Sequence, residues 1–484
     1  MSDDPSPSAP GRSRGSLRDI MRTSTLDGVF ATGYANLTTG TLLTTFLLLL
    51  GASDFLVGLV AAFPLLAGLM QPFGAEIIRR TGGRRKPILI TAALIDDLLW
   101  LVSLAAVVYL DAPGALGVVV VVLVVQYAFG AFVTVSWTSW ISDLIPPSLR
   151  GRYFGRRNFI CHGFGALTAA IAGLVLRAAG PHVHVFVGLI GIGVIFRLIS
   201  ISFLRRQPEP SPARSPRLPM LEQMATPLRS PDFRRYLTYA MAWGFGVQLA
   251  APFFTVYMVN EANVGFDTVM VFSAMGTVSN LIGQRVWGPL CDRYGDHQVM
   301  RVAGFSIALQ PVWWLFTSTE GPGFYLMAIL SMTGGFAWGG HLMATGNLMM
   351  RLAPETGKTT YFAVQAALGG LFGAAGPFVG GLLATLFSGS VSVIPGLLVG
   401  LKNLFLISGI VRLFAWALLQ RVPEPVSRPP LRAVYVLRDT ARTFNPAQGF
   451  SPLLNLFTFS GVRTNLQKRR RAASIKRRAR SRQR

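Results

Sequence analysis

The chain alternates long apolar runs with short polar connections from end to end. A helix crossing a bilayer needs about 20 mainly apolar residues. Runs of that kind fall roughly at 26–50, 55–78, 87–110, 114–140, 159–179, 183–204, 236–259, 267–291, 299–317, 323–350, 360–386 and 395–420. A stretch such as GVVVVVLVV (Gly117–Val125) also fits a buried strand, but twelve long runs in series do not. The pattern predicts twelve transmembrane helices in an all-α polytopic membrane protein. The first 25 residues are polar and lack the short apolar core of a cleavable signal peptide.

The connections sort by charge. Those after even-numbered runs hold Arg79, Arg80, Arg84, Arg85 and Lys86, then Arg150, Arg152, Arg156 and Arg157, then Arg205, Arg206, Arg234 and Arg235, then Arg293, and finally Arg351 and Lys358. The others are nearly free of bases, Arg177 apart, and carry Asp54, Asp111, Glu261, Asp267 and Glu320. Lys and Arg collect in cytoplasmic loops. Both termini and the middle connection are therefore expected in the cytoplasm, as in a bacterial inner (plasma) membrane protein. The expected organisation is a tail over 1–25, a six-helix bundle over 26–204 and a linker over 205–235. A second six-helix bundle over 236–422 and a basic tail over 423–484 follow. The Pro/Ser-rich stretch Gln207–Met220 reads as a flexible tether.

Composition agrees with this reading. Only 14% of the 484 residues are charged, against about a quarter in soluble domains. The net charge of +24 is uneven, and from Pro423 onward 15 Lys+Arg stand against 2 Asp+Glu. Beside a membrane, such a tail and the basic loops contact anionic lipid; nucleic acid is not an expected partner. Cys161 and Cys291 give neither a disulfide framework nor metal-ligand spacing, so no metal or cofactor is expected. The chain has no phosphate-binding loop, H-E-x-x-H pair or nucleophile elbow, which argues against ATP-driven transport and against an enzyme.

The two halves echo each other. GVIFRLISISFLRRQPEP (Gly193–Pro210) resembles SGIVRLFAWALLQRVPEP (Ser408–Pro425) at an offset of 215, which pairs Arg197 with Arg412. Pro146, Tyr153 and Phe154 match Pro354, Tyr361 and Phe362 at an offset of 208. GPLCDRYGDH (Gly288–His297) follows the eighth run, and GAEIIRRTGGRRK (Gly74–Lys86) follows the second. With these motifs, residues 20 to about 425 resemble the major facilitator superfamily. Its loop signature is G-x-L-x-D-R-x-G with two final bases. Gly288, Leu290, Asp292, Arg293 and Gly295 fit; Asp296 and His297 depart from the bases, and Ile78 stands where the first-half carboxylate belongs. The resemblance implies two six-helix pseudo-repeats related by an axis along the membrane normal. It also implies a gating latch built on Gly74, Arg79, Arg84, Arg85, Gly288, Asp292, Arg293 and Gly295, impaired in the first half. GLFGAAGPFVGG (Gly370–Gly381) is similar to the family's antiporter signature, but lies on the eleventh run rather than the fifth.

In that family the pathway is lined mainly by helices 1, 4, 7 and 10. The candidates there are Tyr34, Asn36, Gln126, Thr134, Trp243, Gln248, Trp338, His341 and Asn347. The alternative for each is an interhelical hydrogen bond of about 0.6 kcal/mol. Asp96 and Asp97 fall about 15 Å into the third run at 1.5 Å per residue. With His341, whose type titrates near neutral pH, they are the proton-coupling candidates; a structural pairing is the alternative. Arg197 and Arg412 are expected to reach out to lipid phosphates. SLRGRYFGRRNFI (Ser148–Ile160) reads as a cytoplasmic loop whose Arg150 and Arg152 pair with acids at helix ends, Asp143 being nearest. The expected function is secondary active transport of a small-molecule substrate by alternating access, coupled to an ion gradient, in a monomer. The alternative is a non-transporting membrane scaffold on the same fold.

Overall fold

The computed structural model describes residues 14–209, 227–353, 358–387 and 398–423. By contact the chain divides into Met1–Leu431 and Arg432–Arg484; the second unit, like most of the linker, lies outside the described residues.

The described helices form twelve segments that follow the twelve apolar runs. Segment 1 is α1 (Arg14–Thr38) and α2 (Gly40–Leu49). Segment 2 is α3 (Asp54–Ala67), a 3-10 turn at Gly68–Met70 and α4 (Gln71–Arg80). Segments 3 to 6 are α5 (Lys86–Tyr109), α6 (Ala112–Leu144), α7 (Pro147–Ala179) and α8 (Val183–Arg206). Segment 7 is α9 (Pro231–Ala250), α10 (Phe253–Val256) and a π turn at Tyr257–Glu261. Segments 8 to 12 are α11 (Phe266–Tyr294), α12 (Asp296–Trp313), α13 (Pro322–Leu352), α14 (Lys358–Phe387) and α15 (Leu401–Leu419).

Eight of these segments are long and apolar enough to cross a membrane by length and composition alone. Segments 1, 2, 8 and 10 fall short. Breaks interrupt the first two, and polar or small residues dilute α11 and α13. Large apolar side chains are exposed along outer faces, including Leu98, Leu101, Val121, Val124, Leu167 and Ile171. Water would penalise such surface; lipid does not.

Helix packing repeats with a shift of six. Segment 1 packs on 5 and 6, and segment 7 on 11 and 12. Segment 3 packs on 4 and 6, and segment 9 on 10 and 12. Segment 2 packs on 4, and segment 8 on 10. Across the halves, segment 2 meets 11 and segment 5 meets 8, a pair of contacts that the same shift exchanges. The internal repeat of the sequence is thus a repeat of packing. Segments 1 and 7 also break at matching depths, at Thr39–Gly40 and at Ala251–Pro252. Interrupted helices in corresponding positions of two halves point to a central binding site.

The bundle has a basic face, bearing Arg205, Arg206, Arg293 and Arg351, and a far face at the opposite helix ends. At the far face one apolar cluster joins both halves, with Phe46 and Phe186 beside Phe253, Tyr257 and Met270. Phe186 meets Phe266 at 6.0 Å and Phe55 meets Phe378 at 5.8 Å between ring centroids. A methyl group on Gly173 of α7 would stand 3.1 Å from Cβ of Met270 on α11. At the basic face, the cluster around Trp140, Leu144, Tyr153 and Leu204 belongs to the first half alone.

Two expectations are corrected here. Ser148–Ile160 is not a loop. Pro147 opens α7, and the helix runs unbroken to Ala179; proline is pre-set for a first helical turn, and Gly151 and Gly155 are tolerated inside it. The expected pairing of Arg150 and Arg152 with Asp143 falls on side chains outside the described residues. Arg197 and Arg412 do not reach lipid. They are 7% and 2% exposed, because both point inward from α8 and α15 onto segments 1 and 7.

The loop-motif glycines differ in purpose. Gly295 has φ 94° and ψ 156°, between α11 and α12, and Gly83 has φ 79° in the matching first-half turn. Side chains rarely tolerate this region. Gly295→Ala is expected to cost about 1–3 kcal/mol, read as a lower melting temperature of the purified protein. Gly74 is instead a close-packing site, where a methyl would lie 2.8 Å from Phe132 of α6.

Candidate functional site

A cavity of about 550 Å³ lies between the halves. Helix α11 supplies one wall through Ser273, Gly276, Thr277, Asn280 and Gln284. Their spacing of three and four residues places them along one face of the helix. Helices α12 and α13 add Gln310, Ser331 and Trp338, and segment 7 adds Phe254 and Met258. From the first half come Thr41 and His162. Thr41 Oγ1 lies 3.3 Å from Ser273 Oγ across the seam.

The wall is pre-arranged. Gln284 Nε2 donates to Asn280 Oδ1 at 2.8 Å, and Gln310 Nε2 donates to the Leu330 carbonyl at 3.0 Å. Each amide keeps further donor and acceptor capacity. The close approach of α11 and α13 rests on small residues. A methyl on Gly339 would lie 2.6 Å from the Asn280 carbonyl oxygen and 2.8 Å from the Gln284 nitrogen.

Behind Trp338 stands an aromatic stack. Trp243 stacks on His341 at 4.6 Å, and Trp338 meets His341 edge-on at 5.6 Å. His341 is 3% exposed, and its Nε2 lies 3.3 Å from the Tyr239 hydroxyl. Trp338, Trp243 and His341, all expected from the sequence, therefore form one unit, with Trp338 at the cavity and His341 behind it.

Four candidates from the first half, Tyr34, Asp96, Asp97 and Gln126, gather in a second centre inside the first six segments. Tyr34 donates to Asp96 Oδ2 at 2.9 Å, and Trp100 Nε1 donates to the Tyr34 hydroxyl at 3.2 Å. Gln126 Nε2 donates to the Asp96 carbonyl at 2.9 Å. Asp96 and Asp97 are both buried, and Arg197 is the cation that acts on both. Its guanidinium sits 5.4 Å from the centre of the Tyr34 ring. Arg412, its repeat partner, has no such acid among the described residues. It donates to the carbonyls of Gly246, Ile307 and Val247 at 3.3, 3.3 and 3.1 Å.

The remaining candidates scatter. Asn36 donates to the Thr32 carbonyl and packs against Gly165. Thr134 is exposed and bonds the Gly130 carbonyl of its own helix. Gln248 packs on Gly376 of α14. Asn347 is not in the cavity wall; it donates to Asp296 Oδ1 at 2.9 Å, beside the Asp296–Arg351 ion pair at 3.1 Å. The departure from the loop signature at position 296 thus ties the start of α12 to the end of α13. Of the latch residues, Arg84 and Asp292 are exposed, Arg85 donates to the Ser139 carbonyl at 3.2 Å, and Arg293 lies over the Tyr294 ring. The side chain of Arg79 lies outside the described residues.

Sequence reasoning missed the α11 stripe, His162, Gln310 and Asp27. Asp27 accepts from Ser200 at 2.7 Å and faces Arg157 at 3.9 Å. Arg157 in turn donates to the Ser24 carbonyl and lies 4.6 Å from the centre of the Trp137 ring.

The family model of the Major Facilitator Superfamily matches residues 25–377 and again residues 244–473. The chain belongs to the Major Facilitator Superfamily. A second match that begins in the second half agrees with the repeat of packing. A superfamily member of this architecture is an integral membrane protein and a secondary transporter of a small molecule. No curated protein matches the chain by sequence. Among solved structures, a mutant of the nucleoside transporter NupG superposes with a TM-score of 0.67 at 11% identity, over 84% of this chain and 100% of that one. A D-xylose–proton symporter gives 0.64 at 16% identity, over 86% and 98%. The xylose transporter XylE from E. coli, in an inward-open conformation, gives 0.61 at 16% identity, over 88% and 99%. At these identities the likeness is one of fold.

Proposed function

We propose that the protein carries its solute through the cavity between the halves, with the basic face in the cytoplasm and the cavity serving that face. The observation that carries this reading is the shared apolar cluster at the far face, which shuts the seam on that side. The positive-inside asymmetry supports the orientation. Each six-helix set rocks about the cavity as a unit, opening one face as the other closes.

Coupling to protons is assigned to Asp96 and Asp97. Ionisable groups held inside a membrane bundle mark ion pathways, and this pair meets one shared cation, Arg197, and the hydroxyl of Tyr34. The D-xylose–proton symporter among the structural neighbours lends the same reading weight. The test is solute uptake into vesicles holding the purified protein, under an imposed proton or sodium gradient. Asp96→Asn and Asp97→Asn are expected to abolish gradient-driven accumulation while solute exchange without a gradient persists. Accumulation equal to that of the unaltered protein would sink the coupling assignment. Absence of flux under both gradients, with loss of an associated membrane complex in cells lacking the protein, would favour the scaffold alternative.

A further inference from the structure

The cavity and the buried charge cluster divide the chemistry between the halves. Asp96, Asp97 and Arg197 sit inside the first half, where Tyr34, Trp100 and Gln126 enclose Asp96. The cavity wall comes almost entirely from the second half, and among its described lining residues none is Asp, Glu, Lys or Arg. Among them His162 is the one side chain of an ionisable type. A charged solute leaving water for this wall would find no fixed counter-charge, and burying an unpaired charge is strongly unfavourable.

What the wall offers instead is amides and hydroxyls. Asn280, Gln284 and Gln310 each present a donor and an acceptor on one rigid plane, and Ser273, Thr277 and Ser331 add groups that both donate and accept. This matches a solute whose own groups donate and accept together, as hydroxyls do. A carboxylate only accepts and an ammonium only donates, so either would leave half of each amide unanswered. The half-buried indole of Trp338 and the ring of Phe254 supply flat apolar faces on the same wall. The volume of about 550 Å³ is that of a cleft for one small ligand, in the range of about 300–1,000 Å³.

We infer that the cavity takes an uncharged, polyhydroxylated solute with a flat apolar face, held by the amides of Asn280, Gln284 and Gln310 against the indole of Trp338. The inference rests on the transport reading above and gives it a substrate class. Recognition then lies in the second half and ionic coupling in the first, so variants in one half should leave the other property standing.

The experiment uses the full chain in vesicles with a radiolabelled panel: a pentose, a hexose, a ribonucleoside, the phosphorylated form of each, an acidic amino acid and a lipophilic cation. At least one neutral member is expected to exchange, with its phosphorylated form at least about tenfold slower. Gln284→Ala and Gln310→Ala are expected to raise its KM about tenfold, the size of one lost hydrogen bond, with the proton dependence of uptake unchanged. Gln284→Asn keeps the amide and should fall between, which controls for misfolding, as does a melting curve for each variant. Preferred carriage of a charged member would overturn the substrate class while leaving transport intact. So would unchanged KM in the folded alanine variants. No exchange of any member would overturn the transport reading, and this inference with it.

Discussion

Arg197→Met is expected to be the most destabilising single change in the first half. Arg197 is 7% exposed and is the shared cation of two buried carboxylates. Its removal takes away the one cation whose charge acts on both Asp96 and Asp97, leaving Asp96 the Tyr34 hydroxyl, a loss of about 1–3 kcal/mol for buried polar groups left less well answered. A methionine of similar length fills the space but answers neither charge. Adding Asp96→Asn and Asp97→Asn to the same chain should recover most of the loss, since a wholly neutral cluster is often tolerated. Arg412→Met is the internal control. Its carbonyl partners, Gly246, Ile307 and Val247, lie within helices, and no acid among the described residues is stranded. Its effect should be clearly smaller. Melting curves of the purified protein and these variants decide the matter. Equal melting temperatures for Arg197→Met and the unaltered protein would show that the cluster is not held by its cation.

Gly339→Val should nearly abolish transport. Even one methyl there approaches backbone atoms of Asn280 and Gln284 at 2.6 and 2.8 Å, and backbone cannot swing aside as a side-chain tip can. Helices α11 and α13 would have to separate. Overpacking of this kind costs about 1–3 kcal/mol, and the displaced atoms belong to the residues that line the cavity beside Trp338. A fall in uptake of at least about tenfold is expected, from the same energy read as an affinity. Gly346→Ala, on the same helix, is the matched comparison: a methyl there meets nothing within 4 Å. Uptake by that variant should stay near that of the unaltered protein. Equal uptake by Gly339→Val would show that α11 and α13 do not need their close approach.

The fold was legible because lipid imposes a simple demand. Backbone groups in hydrocarbon must be satisfied within each helix, so long apolar runs map one to one onto helical segments. Charge on the connections and the Arg197–Arg412 echo carried the repeat. The site was legible only in part. Trp243, Trp338 and His341 were found because large polar-tipped side chains stand out at mid-depth. The stripe Ser273, Thr277, Asn280 and Gln284 was equally visible as helical spacing. It lies on segment 8, whereas the family resemblance puts the main pathway on segments 1, 4, 7 and 10. Arg197 misled for a physical reason: a long basic side chain near a helix end can reach either lipid or an internal acid, and sequence alone does not reveal which way its helix turns. Asn347 misled likewise, since its partner at position 296 lies on another helix.

Helix α7 is one rod of 33 residues, about 50 Å at 1.5 Å per residue. Arg157 near one end grips Asp27, His162 part-way along borders the cavity, and Gly173 toward the other end lies on α11. A stiff beam loaded at three points cannot yield at one without moving at the others. In the rocking proposed above, a tilt that parts Gly173 from α11 also moves His162 at the cavity wall. The far seam and the cavity then shift as parts of one lever, with no messenger needed between them.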